Sequence, residues 1–103
     1  MSGVLRALGL CRRAGALICG TPMICAELPK GKILMVIEAR DTSEGTHKKI
    51  TDKCRYYEVE HLRIEADGVS LAAAVGKSGS LAAVAVSDAN LAVMVKKAMD
   101  GNK

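Results

Sequence analysis

The 103 residues leave room for a single domain, 1–103, around one hydrophobic core. Half of them are apolar, yet Phe and Trp are absent and only Tyr56 and Tyr57 are aromatic, which argues against modules that stack bases on exposed rings. The net charge of +4 is uneven: residues 1–57 carry ten Lys or Arg against five Asp or Glu, and residues 58–103 carry five against six, so an anionic partner would dock on the N-terminal half.

In chain order, Val4, Leu5, Leu8 and Cys11 recur at helical spacing, with Arg6, Arg12 and Arg13 elsewhere on the wheel, and Gly15 ends this first helix. A short extended piece, Leu17–Cys19, leads into Gly20. Thr21 is the expected N-cap of a second helix, with Pro22 at the first helical position and Pro29 as its stop. The unbroken apolar run 33–37 has the pattern of a strand covered on both faces.

Asp41, Thr42, Ser43 and Glu44 offer capping groups for a third helix, whose inner face carries Ile50, Cys54 and Tyr57. Residues 58–64 read as a weak edge strand containing His61. An alanine-rich helix starts at Asp67 or Ser70 and ends near Gly76, followed by the polar loop Lys77-Ser78-Gly79-Ser80 and a second buried strand over 81–86. Ser87 and Asp88 then cap a last helix with Leu91, Met94, Val95 and Ala98 inward. Helices alternating with short strands predict an α/β fold, a three-layer α/β/α sandwich.

Nothing in the chain matches a hydrolase elbow, a zincin helix, a Walker loop or a dinucleotide fingerprint, so no catalytic residue is expected and the protein is read as a binder, not an enzyme. Gly76 to Ser80 has the composition of a phosphate-contacting loop but runs into a strand, which suits contact with a polyanion better than a nucleotide site. Cys11, Cys19, Cys25 and Cys54 show no C-x-x-C pair and, with His47 and His61, no zinc spacing. They are expected as small apolar residues, the histidines as unconnected half-buried or surface groups, and Met23, Met35 and Met94 as core filler. No cofactor or metal follows. Arg12 and Arg13 interrupt the N-terminal apolar segment, and no run approaches the roughly 20 residues of a membrane span. A cytoplasmic monomer with no membrane contact is expected.

Several strings, in this order, carry a family resemblance: Leu8 to Gly15 (LGLCRRAG), Lys30-Gly31-Lys32, Asp41 to Ile50 (DTSEGTHKKI), Asp52 to Tyr57 (DKCRYY), Leu71 to Gly76, and Ala83 to Val86 with Asp88. The chain resembles the ribosomal-protein L-seven-Ae and L-thirty-e superfamily, in particular its short bacterial YlxQ-like branch. The resemblance implies a four-stranded mixed sheet between helices, and recognition of kinked RNA stems. In that family the start of the second helix enters the kink with a Gly-x-Asn-Glu-type motif and a Lys one turn on, while the loop before the last strand covers an extruded base.

Gly20 and Thr21 match the start of that motif. Pro22 stands where it has Asn, Met23 where it has Glu, Ala26 where it has Lys, and Ala16 where the branch commonly has Lys. Two functions are therefore expected. In one, the protein is a ribosome-associated or ribosomal-protein-like binder of structured RNA using Arg12, Arg13, Gly20, Thr21, Pro22, Met23, Lys30, Lys32, Lys77, Ser78, Gly79 and Ser80, mainly through backbone phosphates. In the other, RNA binding is lost and the apolar patch Pro22, Met23 and Ala26 docks a protein.

Overall fold

The first helix, α1 (Gly3–Arg13), buries Val4, Leu5, Ala7, Leu8 and Cys11, the face its spacing predicts. It ends in a paired turn. The Gly15 N–H donates to the Arg12 carbonyl (3.1 Å) and the Ala16 N–H to that of Cys11 (3.0 Å). Gly15 holds φ +73°, the left-handed geometry that such a helix end requires. The computed structural model describes residues 3–100.

After β1 (Leu17–Cys19), α2 (Thr21–Glu27) runs into a 3₁₀ turn at Leu28–Lys30 that contains Pro29. The third element pair is β2 (Met35–Glu38) and α3 (Glu44–Tyr56), whose N-cap Ser43 accepts from the Thr46 N–H (3.3 Å). The strand is displaced from the apolar run that marked it. Leu34 is exposed, and Glu38, a residue outside the run, is its last buried member. Pairing with both neighbours, not hydropathy, sets that end.

Next come β3 (Glu60–Arg63), α4 (Gly68–Ala74), β4 (Ala83–Val86) and α5 (Ala89–Asp100). The edge strand begins later than hydropathy suggests, because Glu58 closes α3 at φ +56°, a left-handed conformation that cannot lie in a strand. Asp67 caps α4 through the Ser70 N–H (2.8 Å), and Asp88 caps α5 through the Leu91 N–H (3.0 Å).

The sheet order is β1-β4-β2-β3, with β4 antiparallel to both β1 and β2, and β2 parallel to the edge strand β3. Strand alternation sends Met35, Ile37, Val84 and Val86 to the face covered by α1, α4 and α5, and Val36, Ala83 and Ala85 to the face covered by α2 and α3. The three-layer α/β/α sandwich with a four-stranded mixed sheet is thus the observed fold. The central strand β4 presents only Ala and Val to the two faces, which lets the helices approach without aromatic filler. Met35 is core and Met94 packs half-buried against it, as expected. Met23 is the exception: it is 54% exposed, because the inward face of this segment is that of Ile24 and Leu28, four residues apart, and Met23 lies a residue's turn off it.

Candidate nucleic-acid interface

One end of the sheet gathers most of the polar and basic groups singled out above. The N-cap of α2 is Gly20, not Thr21: its carbonyl already accepts the Ile24 N–H (3.0 Å), and its φ of +92° is one that threonine rarely adopts. Thr21 and Pro22 become the first and second helical residues, and no side chain caps the tip. Pro22, Met23 and Ala26 are all exposed beside it. The Gly20 N–H donates to the Ala83 carbonyl (3.0 Å), so the tip is tied to the first residue of β4.

The loop that delivers β4 lies against this tip. A β-carbon at Gly20 would sit 4.0 Å from Leu81 Cδ2. The loop leaves α4 at Gly76 (φ +75°) and turns again at Gly79 (φ +78°), exposing Lys77, Ser78, Gly79 and Ser80. Its far end is held firmly. The Leu81 N–H donates to the Gly68 carbonyl (3.0 Å), and the Ala82 carbonyl accepts from the Ala39 N–H (2.8 Å) and Thr42 Oγ1 (3.2 Å). A free polar crest on a fixed base results.

The arginines of α1 flank this surface on the other side of the sheet: the helix itself ends near the row of Leu17 and Val86, and Arg12 reaches back from there toward the tip. Arg6, Arg12 and Arg13 line an open groove of about 430 Å³ whose opposite wall is the end of α4, including Gly76. Gly9 permits the close crossing, since a β-carbon there would lie 2.9 Å from the Ala74 carbonyl oxygen. Arg12 extends Nη1 to within 3.7 Å of Cys19 Sγ, next to Gly20. Among the described residues no carboxylate forms an ion pair with Arg12, Arg13 or Lys77, which leaves three exposed cations for an external anion. Arg6 belongs with them, although its position on the helical wheel alone did not mark it.

Lys30 and Lys32 are not part of this end. They precede Leu34 and Met35, which pair with Val86, whereas Gly20 pairs with Ala83 at the other end of β4. Three strand steps, about 10 Å, separate those rows, and the two lysines lie beyond the farther one. Lys30 is also paired with Glu27 (3.3 Å). The local basic cluster drew attention to them; the path of α2 across the sheet carries them away.

His47 and His61 are half-buried as expected, but they are not unconnected. Both converge on the buried carboxylate of Glu38, a cluster that the spacing of the chain does not reveal because 9 and 23 residues separate the partners. Among the cysteines, Cys11 and Cys54 are buried while Cys19 and Cys25 are half-buried. Burial pushes the Cys54 thiol up to about 11, with the neighbouring Cys25 and the charge of Glu38 adding to the shift. Burial, and then Asp88, raises that of Cys11.

These thiols predict an order of reaction. Iodoacetamide near neutral pH is expected to label Cys19 and Cys25 in the native protein well before Cys54, as read by peptide mass spectrometry. Early labelling of Cys54 would contradict its placement. The linkage has one sign: a thiol held neutral in the fold stabilises it below the ordinary cysteine pKa, and that contribution fades as pH rises toward 11.

Comparison with known proteins places this geometry. The family model described as "Ribosomal protein L7Ae/L30e/S12e/Gadd45 family" matches residues 3–95. A protein of Bacillus subtilis (strain 168) called RNA-binding protein YlxQ is 35% identical over 85 residues, covering 82% of this chain and 83% of that one. A protein of the same name from Enterococcus faecium is 46% identical over 52 residues, half of each chain. Among solved structures, a protein of unknown function from Bacillus halodurans superposes with a TM-score of 0.87 at 27% identity, covering 97% of this chain and 99% of that one. The Giardia lamblia 15.5kD RNA binding protein shares the fold, with a TM-score of 0.78 at 16% identity over 97% and 84% of the two chains. On the match over residues 3–95 and the extended identity to the Bacillus subtilis protein, the chain belongs to the ribosomal protein L7Ae/L30e/S12e/Gadd45 family.

Proposed function

We propose that this chain is an RNA-binding protein that docks on structured, kink-turn-like RNA with the end of the domain formed by the Gly20 tip and the loop of Lys77 to Ser80. The observation that carries this reading is the juxtaposition of that tip and that loop, with the unpaired Arg12 and Arg13 alongside. The relatives described as RNA-binding proteins support it. It is the reading of a binder and not of an enzyme. The RNA is taken to be ribosomal or ribosome-associated, and the protein to act as a monomer in the cytoplasm.

The side chains of Pro22, Met23 and Ala26 bring neither an amide nor a charged group to a base edge at the tip. Contacts are then made mainly to phosphates and to the shape of the bend, by Arg12, Arg13, Lys77 and the hydroxyls of Thr21, Ser78 and Ser80. A kink-turn duplex titrated at several salt concentrations tests this. About three phosphate contacts predict a slope of log affinity against log salt of roughly −2 to −3. No binding at low salt ends the proposal.

The exposure of Met23 favours a second reading, in which Pro22, Met23 and Ala26 dock a protein. Under that reading Met23→Lys abolishes capture of the partner. Under the RNA reading the same change adds a cation at the tip and tightens RNA binding.

A further inference from the structure

Glu38 is the buried charged residue of the described core, with 0% of its surface exposed. An isolated carboxylate in such a place is costly, so what surrounds it has to answer its charge. Three side chains do so, from two elements, α3 and β3. His47 of α3 puts Nδ1 2.9 Å from Oε1 and 2.7 Å from Oε2. His61 of β3 puts Nε2 2.6 Å from Oε1. Arg63, two residues along the same strand, holds Nε 3.6 Å from Oε2. The parallel ladder accounts for this convergence: Val36 pairs with His61 and Glu38 with Arg63, and Val36 is seated in the core on the α2–α3 side of the sheet.

We propose that Glu38, His47 and His61 form a binding site for a divalent transition-metal ion of the zinc class. One ligand atom from each lies within 4.8 Å of the other two, and two imidazoles with one carboxylate are a donor set that such ions take. The shared oxygen Oε1 is the natural carboxylate ligand, since both ring nitrogens already face it. Oε2 then remains with Arg63, which orients the carboxylate from behind and whose charge stays on the far oxygen.

Bond lengths decide whether an ion fits. Ligands about 2.1 Å from a tetrahedral ion stand about 3.4 Å apart. The observed separations from Oε1 of 2.9 Å for His47 and 2.6 Å for His61 must therefore open by roughly 0.5–0.8 Å, a side-chain adjustment. The ion takes the place of the protons by which His47 Nδ1 and His61 Nε2 donate to Glu38, so in the loaded site each neutral ring carries its proton on the other nitrogen, Nε2 of His47 and Nδ1 of His61. Three protein ligands leave a fourth position for water. Access is from the side of His47, whose side chain is 40% exposed against 16% for His61.

The site uses none of Arg12, Arg13 or Lys77, so its test is independent of RNA binding. Chelator-treated full-length protein is titrated with zinc chloride by calorimetry, and with cobalt chloride by visible absorption. The expected result is one ion per chain, with affinity at least about tenfold weaker in His47→Gln and in His61→Gln. Zinc should raise the melting temperature of the native protein and leave that of His47→Gln unmoved. The partly exposed His47 makes that variant the safer one if His61→Gln folds poorly. Three outcomes overturn the proposal: no ion bound, the same affinity in His47→Gln, or a cobalt spectrum with thiolate charge transfer, which would place the ion on Cys19 or Cys25. In any of these cases the three residues are a hydrogen-bonded anchor for Glu38 and nothing more.

Discussion

Gly68→Ala is expected to lower folding stability by about 3 kcal/mol, the upper part of the range for overpacking a closed site. Gly68 opens α4 with its Cα against the base of the Lys77–Ser80 loop. A β-carbon there would press on Ser80 Oγ and lie 2.8 Å from the Leu81 carbonyl oxygen. The hydroxyl can rotate away; the carbonyl cannot, because the Leu81 N–H is bonded to the Gly68 carbonyl and the Gly68 N–H to Asp41 Oδ1 (2.9 Å). Either α4 or the loop must move, and the loop is the part proposed to touch RNA. Urea unfolding should show a lower midpoint at unchanged slope, with weakened binding of the kink-turn duplex. Gly45→Ala is the control. A β-carbon at that helical position meets nothing within 4 Å, so the change should be neutral or mildly stabilising. A Gly68→Ala midpoint equal to that of the native protein would refute the packing described for the loop base.

The triple change of Arg12, Arg13 and Lys77 to Ala is expected to weaken binding of a kink-turn duplex roughly a hundredfold at low salt. Each exposed cation in contact with a phosphate contributes on the order of 1 kcal/mol, and about 3 kcal/mol corresponds to two factors of ten. The salt slope should flatten at the same time, because the counterions released by those contacts no longer are. All three residues are exposed, so stability should hardly change. The paired change of Lys30 and Lys32 to Ala supplies the contrast. It removes nearly as much positive charge from the opposite end of the sheet, and affinity should shift by no more than about twofold through the long-range field. Equal losses in the two variants would mean that net charge, not the Gly20 end, governs association.

The contrast between those lysine and arginine sets shows where local reading stops. Arg12, Arg13, Lys30 and Lys32 look alike along the chain, each a basic pair near a glycine. Their separation follows from α2 running the length of the sheet, which only the strand partners of Gly20 and Leu34 reveal. Met23 failed as a core residue for a related reason. Helical periodicity assigns a face, but a helix of seven residues presses only Ile24 fully inward. The Glu58 turn was hidden because left-handed geometry at a non-glycine residue leaves no compositional mark.

The amino-acid sequence by itself determined the order of elements, the glycine stops, the capping stretches 41–44 and 87–88 and the apolar faces of α1 and α5, because each depends on contacts within a few residues. It also carried the resemblance by which the family is recognised. Only the tertiary structure decided that Glu38 is buried and met by His47 and His61, that Gly68 must be bare, and that the loop before β4 lies beside the tip of α2. Those facts arise from strand register and helix crossing, where residues distant along the chain become neighbours, and no periodicity or local propensity encodes that distance.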